Sequence, residues 1–425
     1  MKVLLISANN ETISMPVLPL GLGCIARATE DAGHDIQLIN MMDHRDGLII
    51  LKKSIEEFNP HVIGISVRNI DDQVMTPQKF LLEPVKFMIS FCRKCTDVPV
   101  VIGGPGYSIF PQSALDYLKA DMGFQGEGEK SFLLLLERLE KNANLDGIPG
   151  LYLPLKGLMG EKKIITCLDD YPLPLPNIHI WAPSEMQDQT IWIPFQTRRG
   201  CPMKCTYCST SIIEGEILRT RNPQYVVKNL SQYCDAGFNY FYFVDNNFNL
   251  PLSYAKKICD LIISEGLNIS WRCIVYPWKV DTELIQKMSQ AGCKEVSLGF
   301  ESGSAKILQS LNKKCQPQDI IKISETFKKF NIKQMGFLLL GSPLETKETV
   351  QESLDFADSL ELDSMRVTVG IRIYPYTQLA KQAVDDGIIS PDDNILFPKF
   401  YIKKGLEHWL QYKIDDLKKD RPHWF

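Results

Sequence analysis

The chain has 425 residues, 44% of them hydrophobic and 23% charged, with a formal net charge of −4. This is the composition of a globular protein of two or three domains, and a pI near 6.0 provides no basic field for nucleic acid, which weighs against a tRNA-modifying role. No apolar run approaches the ~18 residues of a membrane span, Met1–Ser7 is too short for a signal-peptide core, and 12 cysteines without a secretory signal imply a reducing cytoplasm.

Residues 1–142 alternate strands and helices. Val3–Ile6 reads as a buried strand, followed by a helix over 20–32 that stops at Gly33. Asp35–Ile39 is the next strand, then a helix over 48–58 that ends before Pro60, then the strand Val62–Ser66. A helix over 85–93 precedes the strand Val98–Ile102, which runs into Gly103-Gly104-Pro105, and a helix over 130–141 closes the segment. This alternation predicts a doubly wound, Rossmann-like parallel sheet, whose ligands lie beyond the carboxyl ends of the strands. The polar run Arg68-Asn69-Ile70-Asp71-Asp72-Gln73 starts at such an end; ligand contacts and a solvated loop both fit it. Cys92 and Cys95 form a lone CxxC, read as structural, and Cys24, Cys259, Cys273 and Cys293 read as small core residues.

Leu20-Gly21 at the opening of the first helix, Ser66, Gly103-Gly104-Pro105 and Gly126-Glu127-Gly128-Glu129 together resemble the cobalamin-binding domain that precedes many radical S-adenosylmethionine (SAM) cores. Glycines there let backbone approach a bulky ligand. One departure is large. Members that replace cobalamin's own base with a protein histidine carry DxHxxG after the first strand, whereas residues 8–14 here read Ala-Asn-Asn-Glu-Thr-Ile-Ser. His34 and His44 read as surface residues. The resemblance thus implies a cobalt without a histidine lower ligand; a degenerate domain that binds no corrin is the alternative.

Residues 143–190 are rich in proline and glycine and read as a surface linker. The β/α alternation resumes over 191–385. Six strands are expected, at 192–196, 240–244, 269–274, 295–300, 334–340 and 365–369, enough for a partial (β/α)6 barrel with its active site at the carboxyl ends. Between the first strand and the first helix lies Cys201-Pro-Met-Lys-Cys205-Thr-Tyr207-Cys208. Three thiolates at CxxxCxxC spacing can hold three irons of a [4Fe-4S] cluster and leave the fourth open; a zinc knuckle is the alternative. The spacing, with Tyr207 before the last cysteine, resembles the fingerprint of radical SAM enzymes. In that family the open iron chelates SAM, and the reduced cluster cleaves it to a 5′-deoxyadenosyl radical.

The resemblance also implies roles for polar groups at the strand ends. Asp245, Asn246 and Asn247 stand where the family contacts the SAM amino group, although its usual Gly-Gly-Glu is absent. Glu301 and Ser302 stand where ribose hydroxyls or the SAM carboxylate bind. Gly341 opens the turn that flanks adenine, and Tyr374 follows the last strand. Arg272 could pair with a carboxylate of SAM or substrate. Residues 386–425 read as a helical tail placed to cap the barrel mouth.

Taken together, the resemblance implies a cobalamin-dependent radical SAM methyltransferase acting on an unactivated carbon or phosphorus centre of a small molecule. Its cofactors are the cluster, SAM and cobalamin, and its partners are the substrate and an electron donor such as flavodoxin or ferredoxin. Two other readings stay open: a radical SAM enzyme that rearranges a substrate or transfers another part of SAM, and a corrinoid or redox sensor without turnover.

Overall fold

Val3, Leu4, Leu5 and Ile6 are at most 1% exposed, because the strand that carries them is covered on both faces, as parallel sheets require. In this computed structural model, which describes residues 1–9, 11, 18–43, 47–180 and 191–425, the chain divides into two compact units. The first comprises Met1–Asp72, Lys79–Ile191 and Ile212–Gly215; the second comprises Gln73–Gln78, Trp192–Ser211 and Glu216–Phe425.

The first unit runs β1 (Lys2–Ser7), α1 (Leu20–Asp31), β2 (Asp35–Asn40), α2 (Gly47–Phe58), β3 (Val62–Ser66), α3 (Leu82–Cys95), β4 (Val100–Gly103), α4 (Pro105–Ile109), α5 (Pro111–Leu118), β5 (Met122–Phe124), α6 (Glu129–Glu140), β6 (Leu151–Leu153) and β7 (Gly157–Leu158). The strand order is β2-β1-β3-β4-β5-β6-β7. The first five strands pair in parallel, while β6 and β7 join antiparallel. Three of these elements, α4, α5 and β5, are absent from the sequence reading. The expected linker is also corrected: its first part, through Leu158, extends the sheet. Ile148 and Leu151, both wholly buried, belong to the same core as Val3, Leu5 and Leu136, and this apolar burial holds the segment down. Further along, the ring of His179 accepts from Leu175 N (3.1 Å) and meets Glu30 (3.1 Å). Cys92 and Cys95 both lie in α3, and burial pushes the Cys92 thiol up to about 12.

The second unit begins with β8 (Ile193–Phe195), then the short ribbon β9 (Arg198–Arg199) and β10 (Arg219–Thr220); α7 (Thr210–Glu214), which lies between them in the chain, belongs mostly to the first unit. It continues as α8 (Pro223–Asp235), β11 (Tyr240–Phe243), α9 (Leu252–Ser264), β12 (Ser270–Val275), α10 (Thr282–Gln290), β13 (Cys293–Glu301), α11 (Ala305–Ser310), α12 (Pro317–Lys329), β14 (Lys333–Leu340), α13 (Lys347–Ser359), β15 (Ser364–Val369), β16 (Ile371–Arg372), α14 (Gln378–Asp385), β17 (Phe400–Tyr401) and α15 (Glu407–Lys419). Its six-stranded sheet, β15-β14-β13-β12-β11-β8, is parallel throughout, and its strands are the six expected of the partial barrel. Alternation within β12 sends Trp271, Cys273 and Val275 into the helix-covered layer. There Trp271 meets Phe243 edge-on at 5.1 Å, the geometry that aromatic quadrupoles favour. Helix starts are set locally: Asn222 accepts from Gln224 N and Tyr225 N at α8, Asp281 caps α10, and Gln316 with Asp319 forms a reciprocal capping box at α12.

Residues 386–425 are more than a helical tail. After α15 the chain returns to the outer edge of β15, where Met365 N donates to His423 O and Phe425 N donates to Met365 O, both at 2.9 Å. An edge strand left open would invite pairing with another chain, and this return covers it. Among the described residues no helix is long and apolar enough to cross a membrane.

Candidate active site

The loop from Gly200 to Cys208 is built before any cofactor enters it. Gly200 (φ +88°) and Lys204 (φ +55°) turn the chain in the left-handed region. A clasp from α11 and the turn after it then fixes the loop. Thr206 N donates to Leu311 O (3.2 Å), and the Asn312 amide donates to Lys204 O (2.7 Å) and Met203 O (3.3 Å). From the other side, Leu379 N in α14 donates to Thr206 O (2.9 Å). Met203 is buried with Leu250 and Tyr276, and Cys201, Cys205 and Trp278 pack on that cluster.

None of the three cysteines is in a disulfide. The Asn247 amide donates to Cys201 Sγ (3.3 Å), and Cys208 Sγ lies 3.2 Å from Thr210 Oγ1. Burial pushes the Cys205 thiol up to about 12, and the charge that most opposes this is the ammonium of Lys313. Tyr207 packs against the core around Ile307 and Leu311. Burial, and then the Glu301 carboxylate to which it hydrogen-bonds, push its phenol well above the ordinary range. Among the described residues no three His, Cys, Asp or Glu side chains converge on one metal ion. Three thiolates that each take a different iron of a cluster need not converge in that way. Three cysteines outside any disulfide, with an amide N–H donated to one of them, fit an anionic iron–sulfur cluster.

The structure revises three of the SAM-side expectations. Asp245, 0% exposed, has its carboxylate occupied by the end of β8: Oδ1 accepts from Thr197 N (2.7 Å) and Arg198 N (3.1 Å), and Oδ2 accepts from Thr197 Oγ1 (2.6 Å) and pairs with Arg198 Nε (3.2 Å). The Arg198 guanidinium goes on to donate to Phe248 O and Leu250 O, both at 2.7 Å. Asp245 is thus a strut for the loop, which leaves Asn246 and Asn247 as the amides at this strand end. Ser302, also 0% exposed, shares a 2.8 Å hydrogen bond with Ser353 on α13 and accepts from Ser304 N. Arg272 stacks over Trp192 (4.5 Å) and Tyr242 (5.1 Å), with Glu295 at 4.0 Å. Trp192 adjoins the start of β8, so this stack lies toward the amino end of the strands and away from their carboxyl ends.

Glu301 ends β13 in the left-handed region (φ +71°), a strained place for its side chain, and pairs with Lys313 at 3.3 Å. Gly341 (φ +107°) lets the chain turn sharply after β14; its N–H and that of Ser342 donate to the buried Glu345, whose carboxyl burial pushes up to about 7. Tyr374, 9% exposed, lies under the Arg372 guanidinium at 5.2 Å. Lys313, Asn312 and Tyr276 escaped the sequence reading. Asn312-Lys313-Lys314 follows a helix and reads as a solvated turn, and no local signal pairs Lys313 with a carboxylate twelve residues earlier.

In the first unit the carboxyl ends of β1 and β3 open a crevice, lined by Ala8, Asn9 and Glu11 on one side and Val67, Arg68 and Asn69 on the other. With the order β2-β1-β3 this is the topological switch point, where doubly wound sheets bind ligands. Gly104 (φ +101°) is needed by the fold itself. A Cβ there would stand 2.6 Å from Val67 O, so the glycine lets two loops touch. Ser108 bridges the next pair, donating to Gly104 O and accepting from Gly126 N. Glu127 accepts from Ile165 N at 2.6 Å. Beside Gly21 there is open space, and a Cβ at Gly103 would meet only Phe124 O at 3.9 Å. Ser66 ends β3 within 3.1 Å of where a Gly104 Cβ would stand. The crevice and the open space beside Gly21 and Gly103 lie at the end of the sheet where such folds bind ligands. Among the described residues no histidine lines the crevice, and His34 precedes β2, at the opposite end of the sheet. His44 and residues 10 and 12–14 lie outside the described residues.

A B12 binding domain model matches residues 6–136, and a Radical SAM superfamily model matches residues 195–357. The chain is 28% identical over 403 residues to an uncharacterised methyltransferase of Pyrococcus horikoshii, covering 92% of this chain and 84% of that one. It is 25% identical over 438 residues to the cytidylyl-2-hydroxyethylphosphonate methyltransferase of Streptomyces wedmorensis, covering 89% and 80%. In fold it is similar to the radical SAM methyltransferase TsrM of Kitasatospora setae, solved with cobalamin and a [4Fe-4S] cluster, at a TM-score of 0.89 and 21% identity over 100% of this chain and 92% of that one.

Proposed function

We propose that this chain, a radical SAM enzyme with a B12-binding domain, is a cobalamin-dependent methyltransferase acting on an unactivated carbon or phosphorus centre of a small molecule. The observation that carries the reading is the pairing of those two domains in one chain. The methyltransferase relatives, one named for a small phosphonate, support it. When bound, the cluster supplies the electron for cleavage of SAM and the corrin supplies the methyl group. The protein's own part is to bind and to shield. Cys201, Cys205 and Cys208 would each hold an iron; the Asn247 amide holds the Cys201 sulfur; Asn246 and the turn at Gly341 would border SAM. Met203, Leu250 and Tyr276 keep water from the sulfurs. In the first unit the β1–β3 crevice would hold the corrin, and the side chains described around it include no histidine. Twelve thiols and an oxidation-sensitive cluster suit a reducing cytosol, with electrons from a flavodoxin or ferredoxin.

The test is anaerobic reconstitution with iron, sulfide and hydroxocobalamin, followed by reductant and methyl-deuterated SAM. Expected are a retained corrin whose visible spectrum changes to that of the methylated form, and deuterium in the corrin methyl. A chain that binds iron but retains no corrin overturns methyl transfer and supports the reading without it.

A further inference from the structure

Lys313 is a buried cation with a fixed orientation. Its side chain is 4% exposed, its Nζ lies 3.3 Å from Glu301 Oε1 and 4.9 Å from the centre of the Tyr276 ring, and Tyr276 packs beside Cys201 and Cys205. The turn that carries it is pinned on both sides: Asn312 grips the cysteine loop through Lys204 O and Met203 O, and Lys314 N donates to Tyr276 Oη (2.7 Å). Enclosing an ammonium is unfavourable unless a partner compensates. Burial alone would lower Lys313, yet the Glu301 carboxylate and then the Cys205 sulfur hold it above its ordinary value. The Tyr276 ring, which Lys313 Nζ overlies, packs beside Cys201 and Cys205, and this brings the cation to the cysteine loop.

We propose that Lys313 and Glu301 set the reduction potential of the cluster, the cation favouring the reduced state and the carboxylate opposing it. Reduction adds one electron to the cluster, drawn from the external donor, with no bond formed or broken and no proton moved. A positive charge held in a poorly polarisable surround stabilises the added negative charge, and cluster potentials respond to nearby charge and to hydrogen bonds at sulfur. Lys313 is thus a positioning residue that acts through the cluster and need not touch substrate. Glu301 has a second consequence: by engaging Lys313 and Tyr207, it ties the loop's aromatic residue to the same charge pair.

The inference rests on the three cysteines holding a cluster, and the experiment separates the two. Wild type, Lys313→Met, Lys313→Arg, Glu301→Gln and the double variant Lys313→Met/Glu301→Gln are reconstituted anaerobically. Iron and sulfide per chain are counted first. The midpoint is then read by redox titration followed by electron paramagnetic resonance, without SAM. Lys313→Met should lower the midpoint and Glu301→Gln should raise it, each by at least a tenfold change in the reduced-to-oxidised ratio at fixed potential, about 59 mV for one electron. Lys313→Arg should stay near wild type, and the double variant should return toward it. Opposite shifts that cancel are not produced by loss of structure. If Lys313→Met fails to hold iron, the near-isosteric Glu301→Gln decides alone. Loaded variants with one common midpoint, or single variants that shift in the same direction, overturn the inference. A wild-type chain that takes up no iron overturns the cluster reading, and this inference with it.

Discussion

Replacing Asp245 by alanine strips partners from a place that water does not reach. The backbone N–H groups of Thr197 and Arg198 lose their acceptor, the Thr197 hydroxyl loses its own, and the Arg198 guanidinium loses its counter-charge while still 1% exposed. Removing one partner of a buried ion pair costs about 3–5 kcal/mol, and each stranded buried N–H about 1–3 kcal/mol. The losses share one site and do not simply add. Arg198 also keeps Phe248 O, Leu250 O and the Tyr254 ring. A net cost of about 4 kcal/mol is expected, which at about 2–4 °C per kcal/mol for a domain of this size lowers the melting of the second unit by about 8–16 °C. Scanning calorimetry of the cofactor-free chain suits the measurement, because a chain of two units is not bound to one two-state transition and the trace shows each step. Asp245→Asn, which keeps one oxygen acceptor, should fall between wild type and alanine. If instead Asp245→Ala moves the transition by less than about 2 °C and raises the KM for SAM, the carboxylate is a SAM ligand and the structural account is wrong.

Cys201→Ala, Cys205→Ala and Cys208→Ala should each remove most of the iron and sulfide and abolish SAM cleavage, whereas Cys92→Ala, within the core of the first unit, should leave iron content unchanged; colorimetric iron and sulfide assays decide. Gly104→Val should both destabilise the first unit and weaken corrin retention, since its side chain meets Val67 O and its φ of +101° disfavours a branched residue. Gly21→Ala, helical and in open space, should preserve or slightly raise stability; a visible titration with hydroxocobalamin shows whether the corrin approaches there. For Glu345, burial raises the carboxyl from 4.5 to about 7, so the folded state holds its proton longer than the unfolded chain. Its contribution to stability is full below about pH 4.5 and is lost as pH rises to about 7; Glu345→Gln should flatten that part of the melting-against-pH curve, and an unchanged slope would count against the assignment.

The fold was largely legible because its strands are near-continuous apolar runs. Val3–Ile6, Val62–Ser66 and the six barrel strands need only period and composition to be found. Around the helix expected over 130–141, the stretches 105–124 and 151–158 were not legible. The short strands β5, β6 and β7 have three residues or fewer, too few for any periodicity, and they are strands because neighbouring backbone is there to pair with. The proline and glycine of 143–158 mark turns between those strands, a pattern that composition alone cannot tell from a linker.

At the site, the cysteine loop was legible because its chemistry lies in consecutive residues. Strand-end position was a weaker guide, since the residue after a parallel strand can turn its side chain toward a ligand or down into the neighbouring loop. Asp245 and Ser302 turn down: their nearest polar partners, Thr197 with Arg198 in one case and Ser353 in the other, lie 47–51 residues away in sequence. Asn247, two residues beyond Asp245, reaches the Cys201 sulfur instead. Lys313 is the extreme of this class. Lysine after a helix is read as solvated because an isolated ammonium cannot be enclosed, and that reasoning fails only when a carboxylate is already enclosed beside it. Glu301 is such a carboxylate, held at the end of β13 by a left-handed turn that no residue type announces. The charge that faces the cysteines therefore depends on a backbone angle twelve residues away, and it becomes visible only once the barrel has closed the distance between them.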